Sequence, residues 1–371
     1  MNGLHGIIFS YEKEPGLREL VEHRMPASIP FGGRYRIIDF MLSNMQNAGV
    51  TDVGIVLHGN YQSLLDHVGN GKTWDMSRKH GGLRILPPFA DNRKYRSGEE
   101  FEGKMQALAG VRSYLEQIRQ DYVVVADSDL IINIDIDEVY KAHLASGADI
   151  TCVCTANYKK TEEATFFLLG DDNKVVKTLC SPKKPEGYHC LEIYILSKEL
   201  LLKLVDTCEA EEKVSFRSDV LNGMGDQLDI RAFVFDGMAA QIRTVKEYYD
   251  RSIDALNPRI YRALSTPERP IRAKEDDETP TYLAPESRCV NALIADGCEI
   301  AGSVENSIIF PGVRIAKGAS VRNSVLFKGT VIEENASISY VIADKNVTIR
   351  RGGKLTGHES YPMVISKGST I

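Results

Sequence analysis

No apolar run in this sequence approaches the roughly eighteen residues that a membrane-spanning helix needs, so no transmembrane segment is expected. The opening Met1-Asn2-Gly3-Leu4-His5 lacks a charged region followed by an apolar one, so no secretory signal is expected either. Strong charge of one sign is missing too. Lys and Arg number 45, Asp and Glu 51, for a formal net charge of -6. That balance gives no basic field for nucleic acid and no polybasic membrane anchor. Paired metal-ligand spacing is also lacking. The cysteines, Cys152, Cys154, Cys180, Cys190, Cys208, Cys289 and Cys298, are odd in number and irregular in spacing. Cys152-x-Cys154 has no second Cys or His pair to complete a zinc site. The reading that fits is reduced structural thiols in a cytoplasmic protein.

What is present is an ordinary globular composition, 43% hydrophobic and 26% charged, on a chain long enough for two or three domains. Strands are expected at 4–9, 53–57, 122–126, 149–155, 166–169, 191–196 and 230–235. Helical spacing runs over 39–48 and 105–117. Val123-Val124-Val125 reads as a central parallel strand, because both of its faces are apolar. This alternation predicts an α/β domain over 1–255: a Rossmann-like, mostly parallel sheet with helices on both faces. Ligands of such sheets sit at the carboxyl ends of the strands, near a switch point.

Pro258, Pro267, Pro270, Pro280 and Pro285 then punctuate a charged stretch, read as a linker over 256–285. Beyond it the sequence repeats. Ile309, Ile315 and Val321 are six apart, and Leu326, Ile332 and Ile338 continue at five, six and six. Gly312 and Gly318 keep the same step. One aliphatic residue in every six or so marks hexapeptide coils, so 286–371 is expected to form a left-handed parallel β-helix.

The run Pro30-Phe31-Gly32-Gly33-Arg34-Tyr35-Arg36-Ile37-Ile38-Asp39-Phe40, followed by Leu42-Ser43-Asn44, closely resembles the core signature of the ADP-glucose pyrophosphorylase (glucose-1-phosphate adenylyltransferase) family. So do the segments 69–75, around Trp74, and 82–88, around Pro87-Pro88, and the order of domains agrees. The resemblance implies a nucleotidyltransferase that joins glucose 1-phosphate to ATP, releasing pyrophosphate and ADP-glucose with the help of Mg²⁺. It also implies a set of site residues that can be checked one by one.

Where the family carries a glycine-rich phosphate loop, this chain has Ser10-Tyr11-Glu12-Lys13-Glu14-Pro15-Gly16-Leu17-Arg18. Only Gly16 and Arg18 survive by position, and Glu12 and Glu14 oppose a triphosphate. The family's reactive lysine is Met25. Glu22 and His23 hold two positions that are often basic for phosphorylated activators. The Gly-Thr-Ala-Asp-Ala stretch reads Gly103-Lys104-Met105-Gln106-Ala107, without its Thr and Asp. In Asp127-Ser128-Asp129, Asp129 matches the metal carboxylate, and a turn-capping role is equally open to it. Gln241 replaces the second metal Asp. The Glu-Lys of the sugar-phosphate site is Cys180-Ser181, with Lys183 and Lys184 beyond, read either as a phosphate contact or as a solvated loop. Glu192 falls where the sugar pocket expects glycine.

By this resemblance the chain is identified with the non-catalytic, regulatory branch of the family. Its implied partner is a catalytic subunit, in a heterotetramer. For this chain itself Mg²⁺ could be dispensable. Tyr61 and Gln62 resemble the family's nucleotide-sensing loop. Arg34, Arg36, Arg84, Arg93, Lys94 and Arg96 read either as an anion site for a phosphorylated effector or as solvated surface. ATP and sugar phosphate remain open as ligands. Two rival readings are a working transferase with a remodelled site and a hexapeptide acyltransferase using His358.

Overall fold

The structure, a computed structural model, describes residues 3–10, 15–57, 59–87, 101–158, 164–274 and 277–371. Arg93, Lys94 and Arg96 lie outside these residues, as do Tyr11 to Glu14 of the expected phosphate loop.

β1 (Leu4–Ser10) is buried throughout. A tight hairpin follows, β2 (Pro30–Phe31) and β3 (Tyr35–Arg36), turning at Gly32 and Gly33 with φ of 59° and 81°. Such angles favour glycine. A Cβ on Gly33 would also sit 3.1 Å from Leu293 of the second domain. α1 (Ile37–Asn47) starts where the Arg36 N–H donates to Asp39 Oδ2 at 2.9 Å, a capping box. Then come β4 (Val53–Leu57), α2 (Gln62–Val68) and β5 (Leu83–Leu86). The helix expected over 105–117 is two, α3 (Lys104–Gly110) and α4 (Arg112–Gln117), parted at Val111, whose ψ of 23° leaves the helical range.

β6 (Tyr122–Asp127) and β7 (Leu130–Ile132) lead to α5 (Ile136–Ser146), capped by Asp135 and stopped at Gly147 with φ of 66°. β8 (Ile150–Thr155), β9 (Thr165–Leu169), β10 (Val175–Cys180), β11 (Tyr188–Ser197), α6 (Lys198–Ala210), β12 (Ile230–Val234) and β13 (Ala239–Gln241) complete the sheet region. α7 (Val245–Asp254) opens with a Thr244–Glu247 capping box.

β5, β4, β1 and β6 lie side by side and parallel. β11 runs antiparallel between β6 and β8, and β12 extends the sheet in parallel with β8. From β1 the chain turns to β4 on one side and to β6 on the other. A switch point therefore opens at the carboxyl ends of β1 and β6, at Ser10 and Asp127.

The expected linker is more ordered than its prolines imply. It holds α8 (Pro258–Leu264), with Pro258 at a first-turn position that tolerates a missing N–H, and β14 (Tyr282–Leu283), which pairs into the second domain. β15 (Arg288–Ile294) then starts a stack of parallel coils. Val304, Val321, Ile338 and Leu355 are successive partners in register, a step of 17 residues per coil. The irregular five-six-six spacing of the aliphatic residues has that same sum. Ile309, Ile315, Val321, Leu326, Ile332 and Ile338 fill the coil interior.

The two domains share a core. Phe31, Phe40, Val245 and Tyr248 pack with Ile308, Phe310, Val325 and Phe327 of the coils. Arg24 reaches across to Asp344 at 2.7 Å, with both residues buried. Among the described residues no helix is long and apolar enough to cross a membrane.

Candidate functional site

Asp127 ends β6 beside Phe9 of β1, so its carboxylate stands at the mouth of the parallel strands. Lys104, the first residue of α3, is brought opposite by Gly103. A Cβ there would lie 2.3 Å from the Val214 carbonyl oxygen, so only glycine allows this approach. Lys104 Nζ donates to Asp127 Oδ2 at 2.8 Å and to Glu192 Oε2 at 2.6 Å. Glu192 lies at an irregularity in β11, with φ of 57°, and Tyr194 OH donates to the same Oε2 at 2.8 Å. Arg217 Nη1 stands 3.9 Å from Glu192 Oε1, and Arg243 Nε stands 3.4 Å from Asp129 Oδ2.

Three carboxylates, Asp127, Asp129 and Glu192, therefore meet three cations, Lys104, Arg217 and Arg243. Lys104, Asp127 and Glu192 are 4%, 4% and 2% exposed, so their charges are compensated inside the protein rather than by water. Burial alone would raise the Glu192 carboxyl. The charges of Lys104, Arg217 and Arg243 outweigh it and hold the group below the usual carboxylate range.

Beside this plug opens a cleft of about 890 Å³, lined among others by Gly16, Asn157, Tyr158, His189, Gln241 and Arg243. Gln241 Nε2 and His189 Nε2 are buried there without a hydrogen-bond partner among the described residues. Burial, reinforced by Arg243, lowers His189 to about 4, so its ring is neutral near pH 7.

The remaining expected site residues disperse. Met25 is buried and accepts from Ser10 Oγ at 3.7 Å, so a thioether closes the end of β1 where a lysine would stand. Arg18, the one arginine left in the phosphate loop, turns away to Tyr361 of the second domain, stacking 4.7 Å from its ring. Gln106 accepts from the Glu102 N–H at 2.6 Å, a local cap for α3. Cys180 is exposed, and the Ser181 N–H donates to Ala164 O at 2.9 Å; Lys183 and Lys184 are exposed beside them. His358 is exposed and bonded within its own turn to Ser360.

The described arginines that read either as an anion site or as solvated surface lie on separate parts of the fold. Arg34 stacks over Tyr35 at 5.4 Å and Arg84 over Tyr114 at 5.9 Å, contacts on separate parts of the fold. Arg36 donates to Ser63 O at 2.6 Å and to Ser63 Oγ at 3.0 Å, just after Tyr61 and Gln62 at the start of α2. The cations that Arg36 does join come from the domain junction. Burial, then the charges of Arg36 and Arg24, with Lys367 adding to them, push Lys345 down to about 8.

Sequence reasoning leaves Asp129 open as a metal carboxylate or a turn cap. Geometry gives the strand end to Asp127, with Asp129 two residues on and paired to Arg243. Lys104 registers in sequence only as a lost threonine. The family's Mg²⁺ does not suit these residues. Lys104 already lies between two of the carboxylates, the second acidic position is the amide of Gln241, and no three His, Cys, Asp or Glu among the described residues converge to hold a metal.

A nucleotidyl transferase family model matches residues 16–253, and a GlmU-like C-terminal hexapeptide model matches 281–360. The glycogen biosynthesis protein GlgD of Bacillus subtilis (strain 168) is 35% identical over 99% of this chain and 96% of its own length. A glucose-1-phosphate adenylyltransferase of Geobacillus stearothermophilus is 31% identical over 82% of this chain and 79% of its own. The GlgD of that same organism is 32% identical over 86% and 82%. The chain belongs to the nucleotidyl transferase family, in the group that holds glucose-1-phosphate adenylyltransferases and GlgD.

Proposed function

We propose that this chain is a regulatory subunit of a glucose-1-phosphate adenylyltransferase in glycogen biosynthesis, with little or no turnover of its own. The carrying observation is the neutralised strand end. Adenylyl transfer depends on positive charge held against phosphate oxygens and on a metal between them. Here the nearby cations Lys104, Arg217 and Arg243 face the chain's own carboxylates, and Met25 and Gln241 supply no charge. Loss of one such contact typically costs about 10²–10³ in rate, and several are altered together.

The catalytic partner supplies Mg²⁺ and turnover, and this chain shifts the partner's conformational balance through a shared interface. Two features support the reading. β15 pairs with the strand Ser303–Ile309, and Val290 on it is exposed, an edge suited to a second β-helix. At the junction, Lys345 sits among Arg24, Arg36 and Lys367, a setting that favours a phosphorylated effector. Arg36 ties that setting to α2, which supports Tyr61 and Gln62 as the segment that reports an effector.

The test is a rate assay with ATP, glucose 1-phosphate and Mg²⁺, using the purified chain, a catalytic relative, and their mixture. No ADP-glucose from the chain alone, with a raised or retuned rate in the mixture, is expected. Turnover by the isolated chain that falls in Asp129→Ala would favour a remodelled enzyme instead. An unchanged rate in the mixture would remove the regulatory role.

A further inference from the structure

A divalent cation in a phosphoryl-transfer site is held by carboxylates whose negative charges would otherwise repel one another. Asp127 and Glu192 stand in that relation here, yet a side chain already lies between them. Lys104 Nζ contacts both, at 2.8 and 2.6 Å, and is 4% exposed. Its stem is fixed as well as its charge. Nζ lies 6.0 Å from the Phe9 ring centre and 5.6 Å from that of Tyr194, and Gly103 sets the helix start against Val214. Tyr194 OH takes up a further lone pair of Glu192. The neighbouring carboxylate, Asp129, is matched by Arg243 in the same way.

We propose that the Lys104 ammonium is a resident counter-cation between Asp127 and Glu192, beside the family's metal position at Asp129, so that this strand end neither needs nor admits a divalent metal. Three details of the site fit. The position that would add a further carboxylate to a metal shell is Gln241, whose amide offers no charge. The strand-end charges sum to zero, three against three, so a divalent ion arriving there finds no net negative charge to hold it, rather than an open anionic cage. The lysine replaces a ligand that must be drawn from solution by one that is covalently present, so the site's electrostatics no longer follow the metal supply. The inference rests on family membership and not on the regulatory reading, because its readout is metal binding rather than turnover.

Mn²⁺ serves as a spectroscopic probe, titrated into the full chain and followed by its electron paramagnetic resonance signal. The wild-type chain is expected to leave Mn²⁺ free at concentrations where Lys104→Met, which keeps the apolar stem and drops the charge, binds one ion per chain at least tenfold more tightly. That gain should vanish when Asp127→Asn is added to Lys104→Met. If Lys104→Met is unfolded in metal-free buffer, Lys104→Gln, which keeps both carboxylates and leaves a neutral hydrogen-bond donor between them, takes its place with the same tenfold expectation. Stoichiometric Mn²⁺ binding by the wild-type chain that is lost in Asp127→Asn would overturn the proposal. So would a folded lysine-free variant that gains no Mn²⁺.

Discussion

At the strand ends Asp127, Asp129 and Glu192 face Lys104, Arg217 and Arg243; at the domain junction Arg24, Arg36, Lys345 and Lys367 gather near Asp344. Both places take charge out of solvent, largely at the strand ends and partly at the junction, but only the first is balanced. A balanced cluster spends its charge inside the protein and attracts little from solution. An unbalanced one carries a standing cost that a bound anion relieves. The difference supports placing the effector of the proposed function away from the family's reaction centre, at the seam between the domains.

Breaking the balance should have the largest effect. Lys104→Met strands two buried carboxylates, and removing one partner of a buried pair typically costs about 3–5 kcal/mol. Chemical denaturation should show a loss of that order, largely recovered in Lys104→Met/Glu192→Gln. Equal stability of wild type and single variant would mean that water, not Lys104, compensates the two acids.

Relieving the imbalance should have a smaller effect of opposite sign. The folded Lys345 value lies below its ordinary one, at about 8. Between about 8 and 10.5 the unfolded chain therefore holds a proton that the folded chain has released, and stability rises with pH across that window. Below it the full penalty applies. Lys345→Met should accordingly gain about 1–2 kcal/mol at pH 7, and the gain should fade above pH 10. A gain that ignores pH would point to packing rather than charge.

The smallest effect expected lies in the hairpin that bears the family signature. Gly33→Ala places a side chain at φ 81° and against Leu293, for a loss of about 1 kcal/mol read from the unfolding midpoint. That loss should leave the strand-end cluster intact, which the Mn²⁺ titration would register as no change.

Much of the fold can be read from the sequence because its signals are local. The apolar runs of β1, β4 and β6 lie where their sequences place them, and the uneven spacing of Leu326, Ile332 and Ile338 already contains the 17-residue coil. Losses at the site are legible too: Met25 and Gln241 can be read one position at a time. Gains are not. Lys104, Asp127 and Glu192 are separated by 23 and 88 residues from lysine to acid, and only the register of β6 and β11 brings them together. The choice between Asp127 and Asp129 turns on where a strand ends, which composition does not reveal. Lys345 sits in a repeat turn that reads as ordinary surface until the coils pack against the first domain.

That packing has a mechanical corollary. Tyr248 OH donates to Pro30 O at 2.7 Å in the hairpin, while Tyr249 OH donates to Asn323 O at 2.8 Å in the coils, so adjacent residues of one short helix grip both modules. α7 thus works as a rivet. A load applied to the coils is therefore also felt at the signature hairpin, along the chain's flank and away from the cleft at the strand ends.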